Sequence, residues 1–325
     1  MRVGMTYDLR SDYLALGYSL EETAEFDREY TIDALEAAVR DNGYEPVRIG
    51  HVRHLVAALA AGERWDFVLN VCEGLRGSGR EATVPALLDV YGIPYTFADP
   101  LCACLTLHKG MAKRVLRDAG VPVTPFVVVS TLADLDAIDF DFPMFVKPVA
   151  EGTAKGIHPQ SRVTDLASLR ERCTWMIETF QQPAIVEPFL PGREFTTGVL
   201  GEGPTAEAIA TMEIVLLESA EAFAYTYTNK EEWEGRCALP MADAEWSARC
   251  GAIAVAAWRA LGGRDAGRID LRADAHGNLF VLEANPLPGM HPKHSDLPIL
   301  SAAVGLSYTE LVGRILRSAE RRVRA

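Results

Sequence analysis

The sequence predicts an α/β protein, α+β in its later part, and three observations carry that prediction. Strand-period and helix-period apolar stretches alternate through the first hundred residues. From Leu101 the alternation gives way to short strand, loop and helix units, and near residue 185 it changes again to a run of strands. The 325-residue chain is 49% hydrophobic, which is enough to give each section a core. We therefore expect an N-terminal unit over 1–100, a central unit over 101–185 and a C-terminal unit over 186–325.

The N-terminal section opens with the strand RVGMTY. From Thr31 to Asp41, Ile32, Leu35, Ala38 and Val39 recur at helical spacing, and Asn42-Gly43 ends the helix. EPVRIG is a second strand, Val56 to Ala61 a helix, and Asp66 to Val71 a third strand. A glycine-rich turn, a helix from Val84 to Tyr91 and the short strand IPYTF follow. This order favours a mostly parallel sheet wrapped by helices. In the central section, Leu105 to Ala119 reads as one helix stopped by Gly120. TPFVVV is a strand, Leu132 to Ala137 a short helix and FPMFVKP a buried strand. The loop Val149 to Ile157, a helix from Leu166 to Phe180 and the strand PAIVEPF complete it. The last section holds the strands REFTTGVLG, TAEAIATMEIV, GRIDLRAD and NLFVLEAN. A long helix from Ala242 to Gly262 lies among them, and Tyr308 to Arg322 forms the closing helix.

The 32 basic and 45 acidic residues leave a net charge of −13, which repels phosphate backbones and argues against nucleic-acid binding. An anionic ligand therefore needs its own basic pocket. Cys72, Cys102, Cys104, Cys173, Cys237 and Cys250 form no CxxC pair and read as free thiols of a reducing compartment. The start, MRVGMTYDLRSDY, has no apolar signal core, and the stretch Gly251 to Trp258 is too short to span a bilayer. A cytoplasmic protein with no membrane partner is expected. His291 and His294 stand three apart in a proline-containing segment, a poor setting for zinc.

Three segments can carry chemistry. In the first, Asp270 lies in GRIDLRAD and Glu283 and Asn285 in NLFVLEANPLPGM, joined by a turn over Asp274 to Gly277. Residues two apart on a strand share a face, so Glu283 and Asn285 point together and Asp270 can lie opposite. Three hard oxygen ligands among apolar neighbours suit magnesium, with nucleotide phosphates completing its shell. In the second, FVKPVAEGTAKGI, a strand ends in Lys147, and Gly152, Thr153 and Gly156 follow. Glycines let backbone N–H groups approach phosphates, although a surface loop can look the same and the P-loop pattern is absent. In the third, AIVEPFLPGREFTTGVL, Glu187 can accept from an adenine amine and Glu194 from ribose hydroxyls. Either can equally be a surface charge.

Together and in this order, the segments resemble the ATP-grasp superfamily, and within it the D-alanine–D-alanine ligase family, from about Val68 onward. The resemblance implies a three-domain fold with ATP clamped between the second and third domains. It makes Lys109 a lysine on the phosphate or adenine side, Lys147 the second ATP lysine, and Glu187, Pro188, Phe189, Leu190 and Glu194 the adenine and ribose stretch. Gly152, Thr153 and Gly156 join that nucleotide set. Arg268 and the Gly289 N–H become the oxyanion site, Asp270, Glu283 and Asn285 the metal ligands, and Ser295 the holder of the second substrate's carboxylate. YTYTNKEEWEG falls at the family's mobile loop, with Lys230 on the phosphate. The cofactors implied are ATP and Mg2+, two ions for which Mn2+ can substitute. The partners implied are amino-acid substrates and a second copy in a homodimer. Arg268 can alternatively be a structural partner of Asp270.

The match departs from the family at the amino-acid pockets. The N-terminal stretch is long and acidic, and Glu25 or Glu29 stands in for the family's ammonium-binding glutamate. Glu73 replaces a family histidine, Glu231 replaces the loop tyrosine, and Thr153 replaces a serine. Three functions remain open on these residues. One is a ligase making D-alanyl-D-alanine for peptidoglycan, and another is a ligase of the same fold joining a different acid and amine. The third is a nucleotide-binding protein without catalysis. The extra carboxylates favour a substrate with an added amine.

Overall fold

A computed structural model of the chain describes residues 1–323, and the side chain of Glu231 lies outside the described residues. Three sheets organise it. In the first, Arg2–Tyr7 runs parallel to Glu45–Gly50 on one side and Phe67–Val71 on the other. The crossover helices Glu29–Asp41 and Val52–Ala60 make that parallel order possible. IPYTF adds only an isolated bridge, Tyr95 to Val68, because Pro94 has no N–H to give a ladder and Phe97 turns the chain with φ 68°.

The second sheet orders Val127–Val129, Ala184–Pro188, Met144–Pro148 and Arg162–Val163, all antiparallel. Helix Leu166–Phe180 covers it, packing Leu169, Cys173 and Met176 against Val146 and Val186. The third sheet orders Cys237–Ala238, Glu207–Leu216, Glu194–Leu200, Ala266–Ala273 and Leu279–Asn285, again antiparallel. Helix Ala244–Ala260 lays Ala254 and Trp258 on its core. Gly267 is required beneath Trp258, whose ring a Cβ would overlap.

The cores do not follow the chain order. Helix Tyr308–Val323 returns to the first sheet, where Leu311, Ile315 and Leu316 pack with Met5, Ile32, Leu35 and Phe67. The helix predicted from Leu105 to Ala119 is two helices, Pro100–Leu107 and Lys109–Asp118, which break at His108 (φ −88°, ψ 92°). His108 is extended and its ring accepts the Met111 N–H, so it caps the second helix. That helix buries Ala112 and Leu116 in the core of the third sheet, not the second. The helix expected from Val56 starts at Val52, capped by His51, and Leu132–Ala137 is a 3-10 turn. Sequence periodicity gave no hint of the short helices Arg10–Ala15 and Asp296–Ala303, which are too brief to show one. Among the described residues, no single helix is long and apolar enough to cross a membrane.

Candidate active site

The hairpin Ala266–Ala273 and Leu279–Asn285 sets the site's floor. Its register places Asp270 opposite Glu283 and Arg268 opposite Asn285. Ile269, Leu271, Val281 and Ala284 point into the core, so the polar residues between them are turned to the other face. Asp270 Oδ1 accepts the Thr196 hydroxyl at 2.6 Å, and Oδ2 accepts the Asn285 amide N–H at 3.1 Å. With its N–H group spent on Asp270, the Asn285 carbonyl oxygen is left for another partner. Two carboxylates and an amide oxygen on one face suit a hard divalent cation. Burial raises the Asp270 carboxyl despite nearby Arg268. Burial works the same way on Glu283, but Lys109 and Arg268 outweigh it and hold Glu283 at about 2.

Two of the predicted lysines meet a carboxylate. Lys109 lies 3.1 Å from Glu283, and Lys147 lies 2.9 Å from Glu187. Arg268 sits 3.6 Å from Asp270 and also pairs with Asp296, a partner the sequence did not suggest. Glu187 is buried on the strand Ala184–Pro188, and its other oxygen takes Lys113 at 2.6 Å and the Thr124 hydroxyl at 2.6 Å. Burial pushes Glu187 up, while Lys113 and Lys147 win and hold it at about 2. Lys113 escaped sequence reasoning, although it stands four residues after Lys109 and so shares its helix face.

Two adjoining cavities gather these groups. The smaller, about 110 Å3, is lined by Lys147, Glu187, Pro188, Phe189, Leu190 and Glu194, with Phe145, Ile157 and Leu282 supplying apolar wall. Arg272 holds Glu194 at 3.0 Å. The larger, about 400 Å3, is lined by Glu25, Glu73, Gly152, Thr153, Asn285, Gly289 and Ser295. Lys109, Lys230, Arg268 and Glu283 line both, so the cavities meet along a charged seam. Ser295 Oγ accepts the His291 N–H at 3.0 Å beside Gly289, where a Cβ would press on that oxygen. Gly156 lines neither cavity. It takes φ 71° and packs beneath Phe180.

Two expectations for the ammonium site do not fit this geometry. Glu29 stands at the exposed start of its helix, 3.6 Å from Arg48, outside both cavities. Glu25 reaches the larger cavity, but Arg80, Lys155 and the Gly152 N–H already fill its carboxylate. The Gly152 N–H that sequence reasoning reserved for phosphate is therefore engaged by Glu25. Glu73 and Glu81 line the same cavity and, among the described residues, neither accepts a hydrogen bond nor closes an ion pair. Burial, then the mutual repulsion of the two carboxylates, pushes Glu73 well up. Burial likewise lifts Glu81, to about 7.

Comparison with known proteins addresses the family and the fold. A family model described as D-ala D-ala ligase C-terminus matches residues 115–317. A D-alanine–D-alanine ligase of Ralstonia nicotianae is 32% identical over 294 residues, covering 89% of this chain and 85% of that protein. Among solved structures, a D-alanine–D-alanine ligase from Bacillus anthracis complexed with ATP superposes with a TM-score of 0.75 at 22% identity, covering 100% of this chain and 99% of that one. The VanG D-Ala:D-Ser ligase from Enterococcus faecalis superposes with a TM-score of 0.75 at 20% identity, covering 98% and 99%. These two likenesses speak to the fold. With the family model spanning most of the chain and a relative above 30% identity along nearly all of it, this protein belongs to the D-alanine–D-alanine ligase family and has its ATP-grasp fold.

Proposed function

We propose that the protein is an ATP- and Mg2+-dependent carboxylate–amine ligase that joins two amino acids through an acyl phosphate. The observation that carries the reading is the seam of Lys109, Lys230, Arg268 and Glu283 where the two cavities meet. A nucleotide in the smaller cavity and an amino acid in the larger would bring phosphate and carboxylate together there.

In this reading Glu187 and the Pro188–Leu190 backbone receive adenine, Glu194 receives ribose, and Lys147 and Lys230 take the phosphates. Asp270, Glu283 and Asn285 would hold the metal, two ions in the full complex with Mn2+ as a substitute. When bound, the metal supplies positive charge against the phosphate oxygens. The first substrate's carboxylate oxygen attacks the γ-phosphorus, and the bond to the β-bridging oxygen breaks to release ADP. The second substrate's amine, having lost a proton, then attacks the acyl carbon. Arg268 and the Gly289 N–H receive the oxyanion that forms, and inorganic phosphate leaves as the peptide bond closes. Each such donor is worth about 2.7–4 kcal/mol of barrier. Ser295 takes the second substrate's carboxylate. The protein's work is positioning and charge compensation rather than covalent chemistry.

The relatives' names put D-alanine first among substrates, with D-alanyl-D-alanine as the product. One observation favours a different acid or amine. Glu73 and Glu81 line the amino-acid cavity and, among the described residues, accept no hydrogen bond and close no ion pair, which suits a substrate carrying an additional cationic group. The deciding measurement is ADP release with ATP, Mg2+ and amino-acid pairs. Turnover that needs both an acid and an amine supports the ligase. Turnover with D-alanine alone selects the first substrate reading, and its absence alongside turnover with a diamino or basic acid selects the second. No ADP release with any pair would overturn the ligase. We place the protein in the cytoplasm, as a homodimer.

A further inference from the structure

The nucleotide reading leaves unexplained a buried ionic knot at the edge of the larger cavity. Glu25, Arg80 and Lys155 have side chains only 6%, 5% and 9% exposed. Glu25 and Arg80 belong to the N-terminal unit, whereas Lys155 belongs to the loop after the strand Met144–Pro148. Glu25 Oε1 accepts the Gly152 N–H at 2.9 Å, and Oε2 accepts Lys155 Nζ at 2.8 Å. Arg80 Nη2 donates to both oxygens at 3.2 Å, while its Nη1 donates to the Ala150 carbonyl at 2.9 Å. A carboxylate offers about four lone-pair sites, and these contacts fill them. Glu25 has no site left for a substrate ammonium.

The loop needs such a hold. Thr153 and Ala154 both adopt left-handed backbone, at φ 49° and φ 54°, a conformation that side-chain-bearing residues resist. Two consecutive residues of this kind persist only where the surroundings over-determine them. Glu151 adds a second fastening, with one oxygen 3.3 Å from Lys155 and the other accepting Gln182 Nε2 at 2.7 Å. Lys109 donates to the Glu151 carbonyl, which ties the fastening to the lysine that also faces Glu283. Gly152 is required because a Cβ there would overlap Glu25 Oε1.

We propose that Glu25, Arg80 and Lys155 form a clasp that fixes the loop 150–157 at the phosphate end of the nucleotide site, with Glu25 and Arg80 acting as positioning residues for ATP and not as substrate ligands. The clasp rests on the nucleotide reading for its consequence but not for its existence. Charge supports it: burial opposes ionising Glu25, yet Arg80 and Lys155 outweigh burial and hold its carboxyl below the usual range.

The test uses the full chain with Glu25→Gln, Lys155→Met and the double variant, and two readouts. Hydrogen exchange on the ligand-free protein should show lost protection across 150–157 in each single variant. Titration with ATP and Mg2+ should show affinity weakened at least about tenfold, and in turnover KM for ATP should rise while amino-acid KM stays within about twofold. The double variant should be no worse than the worse single, since one interaction is removed twice. Gly152→Ala should reproduce the pattern from the loop side, and Glu25→Asp should restore part of it. Unchanged protection in both single variants would overturn the clasp. So would a rise in amino-acid KM with ATP binding intact in Glu25→Gln. If the unmodified protein binds no ATP, the ligase reading falls, and the exchange measurement still decides the clasp.

Discussion

At the scale of single residues, the site is held by charges that could not stand alone. Lys113 is 1% exposed and sits between Glu187, Thr124 and the Val281 carbonyl. Lys113→Met leaves one Glu187 oxygen in a dry site with only a hydroxyl, so we expect a loss of about 3–5 kcal/mol of stability and weaker ATP binding. Thermal unfolding and nucleotide titration check this; an unchanged unfolding temperature contradicts it. If Asp270 and Glu283 hold the metal as proposed, Asp270→Asn and Glu283→Gln should lower ADP release by about 100-fold or more while the fold survives. Retained activity in either removes it from the metal set. Asp27 predicts a pH effect. Burial, then the Asp8 charge, raises its carboxyl to about 7. A carboxyl raised on folding binds its proton more tightly in the folded state. The stability it contributes is full below the ordinary aspartate range and is lost as pH rises through about 7. Asp27→Asn should therefore match the unmodified protein near about pH 4 and unfold about 2–4 °C higher at pH 8. Parallel curves across that range would refute the shift.

At the scale of elements, strands and their polar faces were the most legible. Alternation in NLFVLEAN put Glu283 and Asn285 on one face, and the hairpin register then set Asp270 opposite. Helices were legible where a cap and a stop bracket them, as in Leu166–Phe180, and illegible at His108, where capping geometry breaks a continuous helical pattern. Loops were the least legible. Residues 217–236 contain Lys230, and their position depends on long-range contacts such as Trp233 Nε1 donating to His294 Nδ1 at 3.1 Å. That bond ties the loop to the turn bearing Ser295. Trp233→Phe removes the donor but keeps the ring, so cleavage within 217–236 under limited proteolysis should be at least about threefold faster. An unchanged cleavage rate shows that the loop is held elsewhere.

At the scale of the whole molecule, the ends of the chain meet. The last helix completes the core of the first sheet, and Arg322 bonds both Asp265 oxygens, at 2.8 and 2.6 Å, and the Tyr95 carbonyl at 2.8 Å. Asp265 also accepts the Phe97 N–H at 2.7 Å, so this C-terminal charge pair fastens the backbone of Tyr95 and Phe97 alongside the shared core. Units joined this way cannot be separated at residues 100 and 185 without exposing apolar surface. By itself the sequence determined the α/β class and named many of the charged residues that line the two cavities. It could do so because strand period, turn residues and motif spacing are local properties of the chain. Only the tertiary structure decided which charges neutralise which. Glu25 is spent on Arg80 and Lys155, Glu29 faces solvent beside Arg48, and Glu73 and Glu81 line the larger cavity. The pairing energy of a carboxylate depends on what lies within a few ångströms and how dry that place is, and neither quantity is written in sequence separation.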